Sequence, residues 1–415
     1  MKVALNALAA LLACALLASG CGRADVSESE PGPRPTPPPE RVRIGAVLAL
    51  TGATSQYGLS AYNGMSMAVE EANAEGGVGG GRVELIVQDT RSDLEETRRV
   101  VRRLVEDYNV AALLGEVTSA RTLAAAEVAQ ELGVALLTPS ATNPEVTRRG
   151  DFVFRGCYTD PFQGAALAQF AARDLGASRA AVISERGQEY SAGLARYIRE
   201  EFERQGGEVV FEGEYEPGAD DFAGLLARAA EARPEVVFVP GYYLEAGLLA
   251  REAGRAELGA PLVGGDGWDS PRLAELGGEA LAGNYLSSHF AAEDESPRVA
   301  RFVGEYRRLY GSAPDSFAAT AYDAARLLLD AVARAGNLDR RAVRDHLAAT
   351  RAFPGVTGDV TFDQNGDALK PLVLIRLGPH GAREVVRHIA PSDLLPEPTP
   401  TPSPTPQRRR RHRAR

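Results

Sequence analysis

The chain has 415 residues, of which 44% are hydrophobic, and it carries a formal net charge of −10 at pH 7. This length exceeds that of one typical domain and suits two. The acidic excess argues against a nucleic-acid-binding protein, because such proteins present basic surfaces.

The first 20 residues have the order of features typical of a secretory signal. Lys2 precedes an uncharged apolar run at 7–17, and the small residues 18–20 follow. Residues 17–21, LASGC, resemble the bacterial lipobox, which implies that Cys21 becomes the lipidated first residue of the mature chain. A plain secreted protein is the alternative. Residues 21–40 are Pro-rich and predict a tether, so we expect an extracytoplasmic domain anchored to the cell membrane by its N-terminal lipid.

Predicted strands and helices then alternate, which indicates parallel sheets covered by helices on both faces. The strands are expected at 42–50, 83–87, 111–114, 134–137, 180–183, 209–211, 236–239 and 262–263. The helices are expected at 61–74, 94–105, 119–132, 190–202, 225–229 and 244–253. With Cys21 lipidated, Cys157 is the one thiol left in the mature domain, so we expect no intrachain disulfide.

The alternation weakens towards the C-terminus. Three consecutive helices are predicted at 299–309, 317–333 and 341–349, before strands at 360–362 and 372–377. A break of this kind indicates that the chain crosses between lobes. Residues 391–415 form a Pro/Thr-rich segment with six Arg between 408 and 415, which we expect to be a disordered tail. Contact of this tail with anionic lipid or wall polymers and a merely solvated tail are both open.

Hydroxyl-rich turns follow two of the predicted strands. The run at 111–114 ends at Gly115, before Thr118 and Ser119, and the run at 134–137 ends in TPSAT at 138–142. Successive parallel strands place their carboxyl ends on the same edge of a sheet, so both turns should line one crevice. Hydroxyls and the unpaired N–H groups of a helix start suit an anion such as a carboxylate.

An ordered set of motifs surrounds these turns. Its members are Thr51-Gly52, Tyr57-Gly58, Asn63-Gly64, residues 73–78 (NAEGGV), 115–122 and 138–142, Tyr190-Ser191-Ala192-Gly193 and Gly241-Tyr242. The set resembles the substrate-binding lipoproteins and periplasmic proteins of branched-chain amino acid ABC transporters, from residue 41 to about 389. No single motif is diagnostic, but their order is specific.

The resemblance implies a two-lobed α/β fold of the type I periplasmic-binding-protein class. Each lobe would be a parallel sheet flanked by helices, with three crossover segments and a ligand cleft that closes by hinge motion. Residues 41–160 with 290–370 would form lobe 1, and residues 161–289 with 371–390 would form lobe 2.

Carried over by position, the resemblance assigns the carboxylate end of an amino acid ligand to the first lobe. Ser119 and Thr142 would bind the α-carboxylate through hydroxyls and local N–H groups. Ser140 and Ala141 would contribute mainly backbone. Ser119 could instead only cap a helix, and Thr142 could be only a turn hydroxyl.

The second lobe is implied to contribute Tyr190, Tyr242 and Asp266, with Asp266 facing the ligand's α-ammonium. Tyr57 and Phe317 match positions that shape the side-chain end of the pocket. Burial of a zwitterion needs donors at one end and an acceptor at the other, which agrees with this division. The aromatic residues could instead be packing residues, and Asp266 could cap a local turn.

The sequence departs from the family pattern in ways that leave the ligand open. Glu189 places an extra acid beside Tyr190, and Asp266 is shorter than the Glu of several amino acid binders. The same fold also serves amides, urea and aromatic acids.

The motifs of several other protein classes are absent. The sequence has no Walker A loop and no Gly-x-Ser-x-Gly elbow, and its His residues lie at 289, 346, 380, 388 and 412 without metal-ligand spacing. We therefore expect no enzyme activity, no metal and no cofactor.

The predicted function is that of a monomeric solute-binding lipoprotein that delivers a small molecule to an ABC permease. The partners would be an amino acid ligand, the permease subunits and, through the lipid anchor, the membrane. A ligand-sensing receptor component with the same fold is the alternative. An enzyme of the cleft is a third hypothesis, which the lack of a converging acid, base and nucleophile disfavours.

Overall fold

A computed structural model describes residues 41–256 and 258–394. The predicted signal peptide, Cys21, the tether and the Arg-rich segment lie outside the described residues. The folded part has two sheets with helices on both faces, a two-lobed α/β architecture that confirms the predicted fold class.

The first sheet has five strands in the order β2-β1-β3-β4-β5, all parallel. Its strands are β1 (Arg41–Leu48), β2 (Arg82–Asp89), β3 (Ala112–Gly115), β4 (Ala135–Thr138) and β5 (Val153–Arg155). The strands β3 and β4 are buried throughout. This burial explains their uninterrupted apolar sequences, since helices cover both faces.

The second sheet has seven strands in the order β12-β11-β10-β9-β8-β6-β7. Its strands are β6 (Arg179–Glu185), β7 (Glu208–Tyr215), β8 (Val236–Val239), β9 (Leu262–Gly264), β10 (Tyr285–Ser288), β11 (Leu372–Leu377) and β12 (Arg383–Ile389). The pairs β10–β11 and β11–β12 are antiparallel. The expectation of a parallel sheet in each lobe was therefore wrong for this edge, because the chain returns to the sheet late and then folds back as a hairpin.

The helices cover both sheets. They are α1 (Ser55–Ala74), α2 (Leu94–Glu106), α3 (Ser119–Glu131), α4 (Asp160–Arg173), α5 (Glu189–Arg204), α6 (Ala223–Glu231), α7 (Tyr243–Arg255), α8 (Pro271–Gly277), α9 (Pro297–Tyr310), α10 (Ser316–Ala335) and α11 (Arg340–Ala348). Helix α10 packs on α1 at such close range that a Cβ atom on Gly64 would lie 2.0 Å from the Ala318 carbonyl oxygen. Glycine at position 64 is what lets the two helices approach.

The chain passes between the two sheets three times. It leaves the first sheet after β5, returns after β10 to form α9, α10 and α11 beside the first sheet, and crosses again before β11. The three crossovers agree with the predicted architecture. The exact lobe boundaries at 160, 289 and 370 stay a prediction.

The segment between α11 and β11 differs from the prediction. Residues 360–362 form only isolated bridges, Phe353 with Val360 and Phe362 with Ala368, instead of a strand. A backbone bridge between Arg155 and Asp367 places this segment beside β5. Within residues 41–394, apart from position 257, no helix is long and apolar enough to cross a membrane.

Candidate functional site

The two hydroxyl-rich turns meet at the carboxyl edge of the first sheet. The strands β3 and β4 pair with Leu114 beside Leu137, so their following turns begin at the same level. The Thr138 hydroxyl donates to the Glu116 carbonyl oxygen at 2.6 Å, and the Ser140 hydroxyl donates to the Val117 carbonyl oxygen at 2.8 Å. These bonds join the two turns into one surface, as the strand order predicted.

Ser119 and Thr142 lie side by side on this surface. Ser119 is the first residue of α3, after the N-cap Thr118, and its hydroxyl accepts the N–H of Asn143 at 3.3 Å. Ser140, Ala141 and Thr142 are all buried. Because the first N–H groups of a helix have no intrahelical partner, this surface combines unpaired backbone donors with hydroxyl groups.

A buried ion pair that the sequence analysis missed holds the first turn. The Arg121 Nε lies 3.1 Å from Glu116 Oε1, and the Glu116 side chain is fully buried. Glu116 Oε2 also accepts the backbone N–H of Thr118 at 2.9 Å and its hydroxyl at 3.0 Å. The spacing of Glu116 and Arg121 across the start of α3 was the available signal. The pair fixes the turn and satisfies its own buried charges.

Arg155 stabilises the second turn by binding one of its carbonyl groups. Its Nη1 donates to the Ala141 carbonyl oxygen at 2.8 Å, and its Nε lies 2.5 Å from Asp367 Oδ1. Cys157 is also buried, and its thiol lies 3.6 Å from the Ala141 carbonyl oxygen. Burial raises the pKa of Cys157, so the thiol stays protonated at neutral pH.

Asp266 lies just beyond the carboxyl end of β9, on the second lobe, and is almost fully buried. Its Oδ1 accepts from Gln163 Nε2 at 2.6 Å and from the Tyr190 hydroxyl at 2.8 Å. Its Oδ2 lies 3.2 Å from His289 Nε2. These partners hold a buried carboxylate in one orientation at the end of a strand.

Gln163 and His289 are functional candidates that the sequence analysis missed. Gln163 lies on α4, and His289 follows β10 in the second crossover, where its ring lies 3.9 Å from that of Tyr158. Both residues come from chain segments far from Asp266 in sequence, and no local motif marks them. Only the three-dimensional arrangement brings them to the acid.

Aromatic rings from both lobes pack against one another beside these groups. Tyr190 and Tyr242 stack with their centroids 5.3 Å apart and an interplanar angle of 11°. Tyr57 lies 5.6 Å from Tyr242 and 4.3 Å from Phe317, measured between ring centroids. All four predicted aromatic residues therefore belong to one cluster, to which the structure adds Tyr243 at 5.2 Å from Tyr57.

Tyr57 links the two lobes directly. It lies on α1 of the first lobe, and its hydroxyl donates to the Gly267 carbonyl oxygen of the second. The Tyr57 hydroxyl oxygen in turn accepts the backbone N–H of Tyr243 at 3.2 Å. Burial raises the pKa of Tyr57 and of Tyr190 well above the ordinary value. Both phenols are therefore neutral hydrogen-bond donors at any physiological pH.

Metal-ion coordination has no support in the described part of the chain. Residues 41–256 and 258–394 contain no cluster of three His, Cys, Asp or Glu side chains placed to hold a metal ion. The residues that meet between the two lobes instead combine hydroxyl groups on one lobe, the buried Asp266 carboxyl group on the other and a cluster of aromatic rings. These features define a two-lobed solute-binding protein.

Comparison with known proteins gives the family. A family model described as periplasmic binding protein matches residues 41–382. The leucine-, isoleucine-, valine-, threonine- and alanine-binding protein of Pseudomonas aeruginosa is 31% identical over 330 residues, which is 79% of this chain and 87% of that protein. The chain belongs to the periplasmic binding protein family, and the resemblance seen in its sequence is confirmed.

Solved structures agree with this assignment. The leucine binding protein of Thermotoga maritima has 38% sequence identity and a TM-score of 0.81, with 85% of this chain and 99% of that chain covered. The branched-chain amino acid transporter substrate binding protein of Streptococcus pneumoniae, in complex with isoleucine, has 31% identity and a TM-score of 0.79. That match covers 84% of this chain and 99% of the other.

Proposed function

We propose that this protein is an extracytoplasmic solute-binding lipoprotein that captures an aliphatic α-amino acid and delivers it to an ABC permease. The observation that carries the proposal is the division of the crevice into a donor surface on one lobe and a buried carboxylate on the other. A zwitterionic ligand requires both ends, because each of its charges must be paired when it leaves water.

The first lobe would bind the ligand carboxylate. The hydroxyl groups of Ser119 and Thr142 would donate hydrogen bonds to it. Ser140 and Ala141 would contribute backbone groups of the turn that also contains Thr142. The N-terminus of α3 adds a favourable partial positive charge. Glu116 and Arg121 would act only through the turn that they hold.

The second lobe would bind the ligand ammonium through Asp266. Gln163, Tyr190 and His289 fix the direction of this carboxylate, and an ionised carboxylate has room for a further donor beyond these. A preoriented acceptor loses little entropy when the ligand binds.

The aromatic cluster would enclose the ligand side chain. Tyr57, Phe317 and Tyr242 present apolar ring faces, which suits a branched aliphatic chain. The relatives from Pseudomonas aeruginosa and Streptococcus pneumoniae are named for, or contain, amino acids of this type. A hydrophobic pocket discriminates only modestly between side chains that differ by one methylene, so several of them should bind.

Lobe closure would couple ligand capture to delivery. The ligand would contact Ser119 and Thr142 on one lobe and Asp266 on the other only when the lobes approach. It therefore favours the closed form by differential contact. The permease would recognise that closed form, and a lipid on Cys21 would keep the protein, which we propose to be a monomer, at the membrane surface.

We further propose that the ligand leaves chemically unchanged. Cys157 is buried and protonated, and His289 is bonded to Asp266 instead of a Ser or Cys nucleophile. Recovery of the amino acid intact after incubation with the protein would support this, and its conversion would contradict it.

A thermal-shift screen of the full chain against the common L-amino acids, small amides and aromatic acids tests the assignment. Ligands that bind the native state raise the melting temperature. We expect the largest shifts for leucine, isoleucine and valine. Shifts confined to amides or aromatic acids would contradict the proposed ligand class.

A further inference from the structure

A cavity of about 180 Å³ lies between the lobes, apart from the proposed amino acid site. The second lobe contributes Trp268, Leu273 and Leu286 to its wall. The start of α10, beside the first sheet, contributes Asp315 and Ser316. The lining contains none of the residues that we assign to the amino acid ligand. We call this space the hinge cavity, because its two walls belong to different lobes.

The second-lobe wall of the hinge cavity is apolar. Trp268, Leu286 and the nearby Phe290 are all buried. The indole N–H of Trp268 donates to the Val239 carbonyl oxygen at 3.0 Å, so the polar atom of this side chain already has a partner. An apolar cavity of about 150 Å³ is large enough to bind benzene. The hinge cavity therefore has room for one six-membered ring.

The opposite wall carries two polar groups that are available to an occupant. Ser316 is 1% exposed, and its hydroxyl oxygen has no hydrogen-bond partner among residues 41–256 and 258–394. Asp315 is the N-cap of α10, where its carboxylate accepts the Ala318 N–H at 2.9 Å and the Ser60 hydroxyl at 2.6 Å. An ionised carboxylate can accept more than two hydrogen bonds, so Asp315 retains capacity for a further donor.

The charges around the hinge cavity favour a cation over an anion. Arg383 lies in the wall, but its guanidinium is paired with Asp269, with 2.6 Å between Nη1 and Oδ1. Asp315 and the exposed Glu293 also belong to the lining. Burial raises the pKa of Asp315 to about 6, and the charge of Arg383 offsets part of the rise. Above that pH the wall therefore carries an excess of negative charge.

We propose that the hinge cavity is an effector site for a small primary amine that carries one compact apolar ring. The ring would lie between Trp268 and the start of α10. The ammonium group would donate hydrogen bonds to the Asp315 carboxylate and the Ser316 hydroxyl. This inference goes beyond the proposed function, because it assigns a second kind of ligand to a second site.

The position of the hinge cavity links it to the proposed amino acid site. Trp268 directly follows Gly267, whose carbonyl oxygen accepts the Tyr57 hydroxyl. Ser316 directly precedes Phe317, whose ring centroid lies 4.3 Å from that of Tyr57. An amine that fits the cavity favours the lobe arrangement in which these contacts form. We therefore expect the amine to raise the affinity for leucine, an effect that rests on the proposed function.

Trp268 makes occupancy of the hinge cavity measurable, because it is the sole tryptophan of the chain. The test is a fluorescence titration of the leucine-saturated full chain with benzylamine at pH 8. We expect a saturable change in tryptophan emission, and about fivefold weaker binding of benzyl alcohol, which lacks the charge. Absence of a saturable change, or equal affinity for benzyl alcohol, would overturn the proposal.

Two variants locate the amine, and a third is their control. Asp315→Asn can still cap α10 but loses the charge, so it should bind benzylamine about fivefold more weakly than wild type. Ala292→Leu adds bulk to the lining and should abolish the change in emission. Glu293→Gln, a neutralised acid at an exposed position of the same wall, should stay within about twofold of wild type. Circular dichroism verifies that each variant is folded, and wild-type affinity in Asp315→Asn or Ala292→Leu would contradict the placement.

Calorimetry of leucine binding with and without saturating benzylamine tests the effector role. We expect about fivefold tighter leucine binding in the presence of the amine. Unchanged or weaker leucine binding would reject the effector role. If wild type binds no leucine at all, the proposed function fails, whereas the benzylamine titration of the ligand-free chain still tests the hinge cavity. Leucine binding without any response to benzylamine rejects only this inference.

Discussion

The two halves of the crevice are built in different ways. The first-lobe half consists of neighbouring residues in two turns that directly follow β3 and β4, joined by bonds such as Ser140 to Val117. The second-lobe half gathers Gln163, Tyr190, Asp266 and His289 from four separate segments. The first half is therefore a property of local sequence and strand order, whereas the second exists only in the folded chain.

The difference extends to the chemistry of recognition. Under the proposed function, the first half would offer hydroxyl and backbone donors to any ligand that carries a carboxylate. The second half would offer the one oriented carboxyl group of Asp266, with aromatic rings from both lobes beside it. We infer that the first half defines the general ligand class and that the second half, with the rings, selects among its members.

The largest expected effect is on the first half. Ser119→Ala combined with Thr142→Ala should weaken leucine binding by roughly 10² to 10⁴-fold, because each hydrogen bond to a charged group contributes about 1.5–3 kcal/mol. Ser66→Ala, more than two helical turns beyond Tyr57 on α1, is a suitable control. Calorimetry that gave wild-type affinity for the double variant would reject the first half as the carboxylate site.

The buried acid Asp160, which lies beside the Thr142 turn, should affect the stability of the folded chain. The pKa of Asp160 is raised from 3.8 to about 7 in the folded chain, so the native state retains a proton that the unfolded state loses. Wild-type stability should therefore fall as pH rises from about 4 to 7. Asp160→Asn should be more stable than wild type at pH 8, by at most ~4 kcal/mol.

Urea unfolding of ligand-free wild type and Asp160→Asn at pH 5 and pH 8 measures this difference. The advantage of the variant should shrink at pH 5, where less of the Asp160 in the folded wild type is ionised. An equal difference at both pH values would mean that Asp160 is not a buried acid of raised pKa.

The next largest effect on ligand binding is expected at Asp266, in the second half. Asp266→Asn should weaken leucine binding by about 10²-fold, within the range for loss of one partner of a buried charge pair. A ligand serves as the matched control here. The weak binding of 4-methylpentanoate, which lacks the ammonium group, should not weaken further in Asp266→Asn. A comparable loss for both ligands would indicate that the substitution damages the fold.

The smallest expected effect concerns the contact between the lobes. Tyr57→Phe keeps the ring against Phe317 but removes the hydroxyl that bonds Gly267 and Tyr243. We expect about tenfold weaker binding, from the loss of about 1–2 kcal/mol, seen mainly as faster ligand release in stopped-flow experiments. Tyr62→Phe, at an exposed position of the same helix, should leave the release rate unchanged.

Much of the fold could be predicted from the sequence because its signals are local. Apolar runs bounded by turn residues gave β8 and β11 at their observed limits, 236–239 and 372–377. The sequence did not predict β10, β12 or the antiparallel pairing of β11, for a physical reason. The strands β10 and β12 carry polar and charged residues, since β12 is largely exposed at the sheet edge, and the antiparallel return of β11 depends on tertiary contacts.

The candidate site divides in the same way. Ser119, Ser140, Ala141 and Thr142 follow predicted strands, so their meeting could be predicted from strand order alone. Gln163, His289 and Asp160 make contacts with other chain segments, and no spacing in the sequence marks them. The Glu116–Arg121 pair lies between these cases, because its members are close in sequence but their burial is visible only in the fold.

Recognition of both ligand charges is the central claim, and comparison of three ligands tests it most directly. Isothermal titration of the full chain with L-leucine, 4-methylpentanoate and 3-methylbutylamine presents the same branched side chain with both, one or the other charged group. We predict that leucine binds at least about 100-fold more tightly than either analogue, because each analogue leaves one half of the crevice without its partner. Binding of 4-methylpentanoate or 3-methylbutylamine with the affinity of leucine would contradict the account.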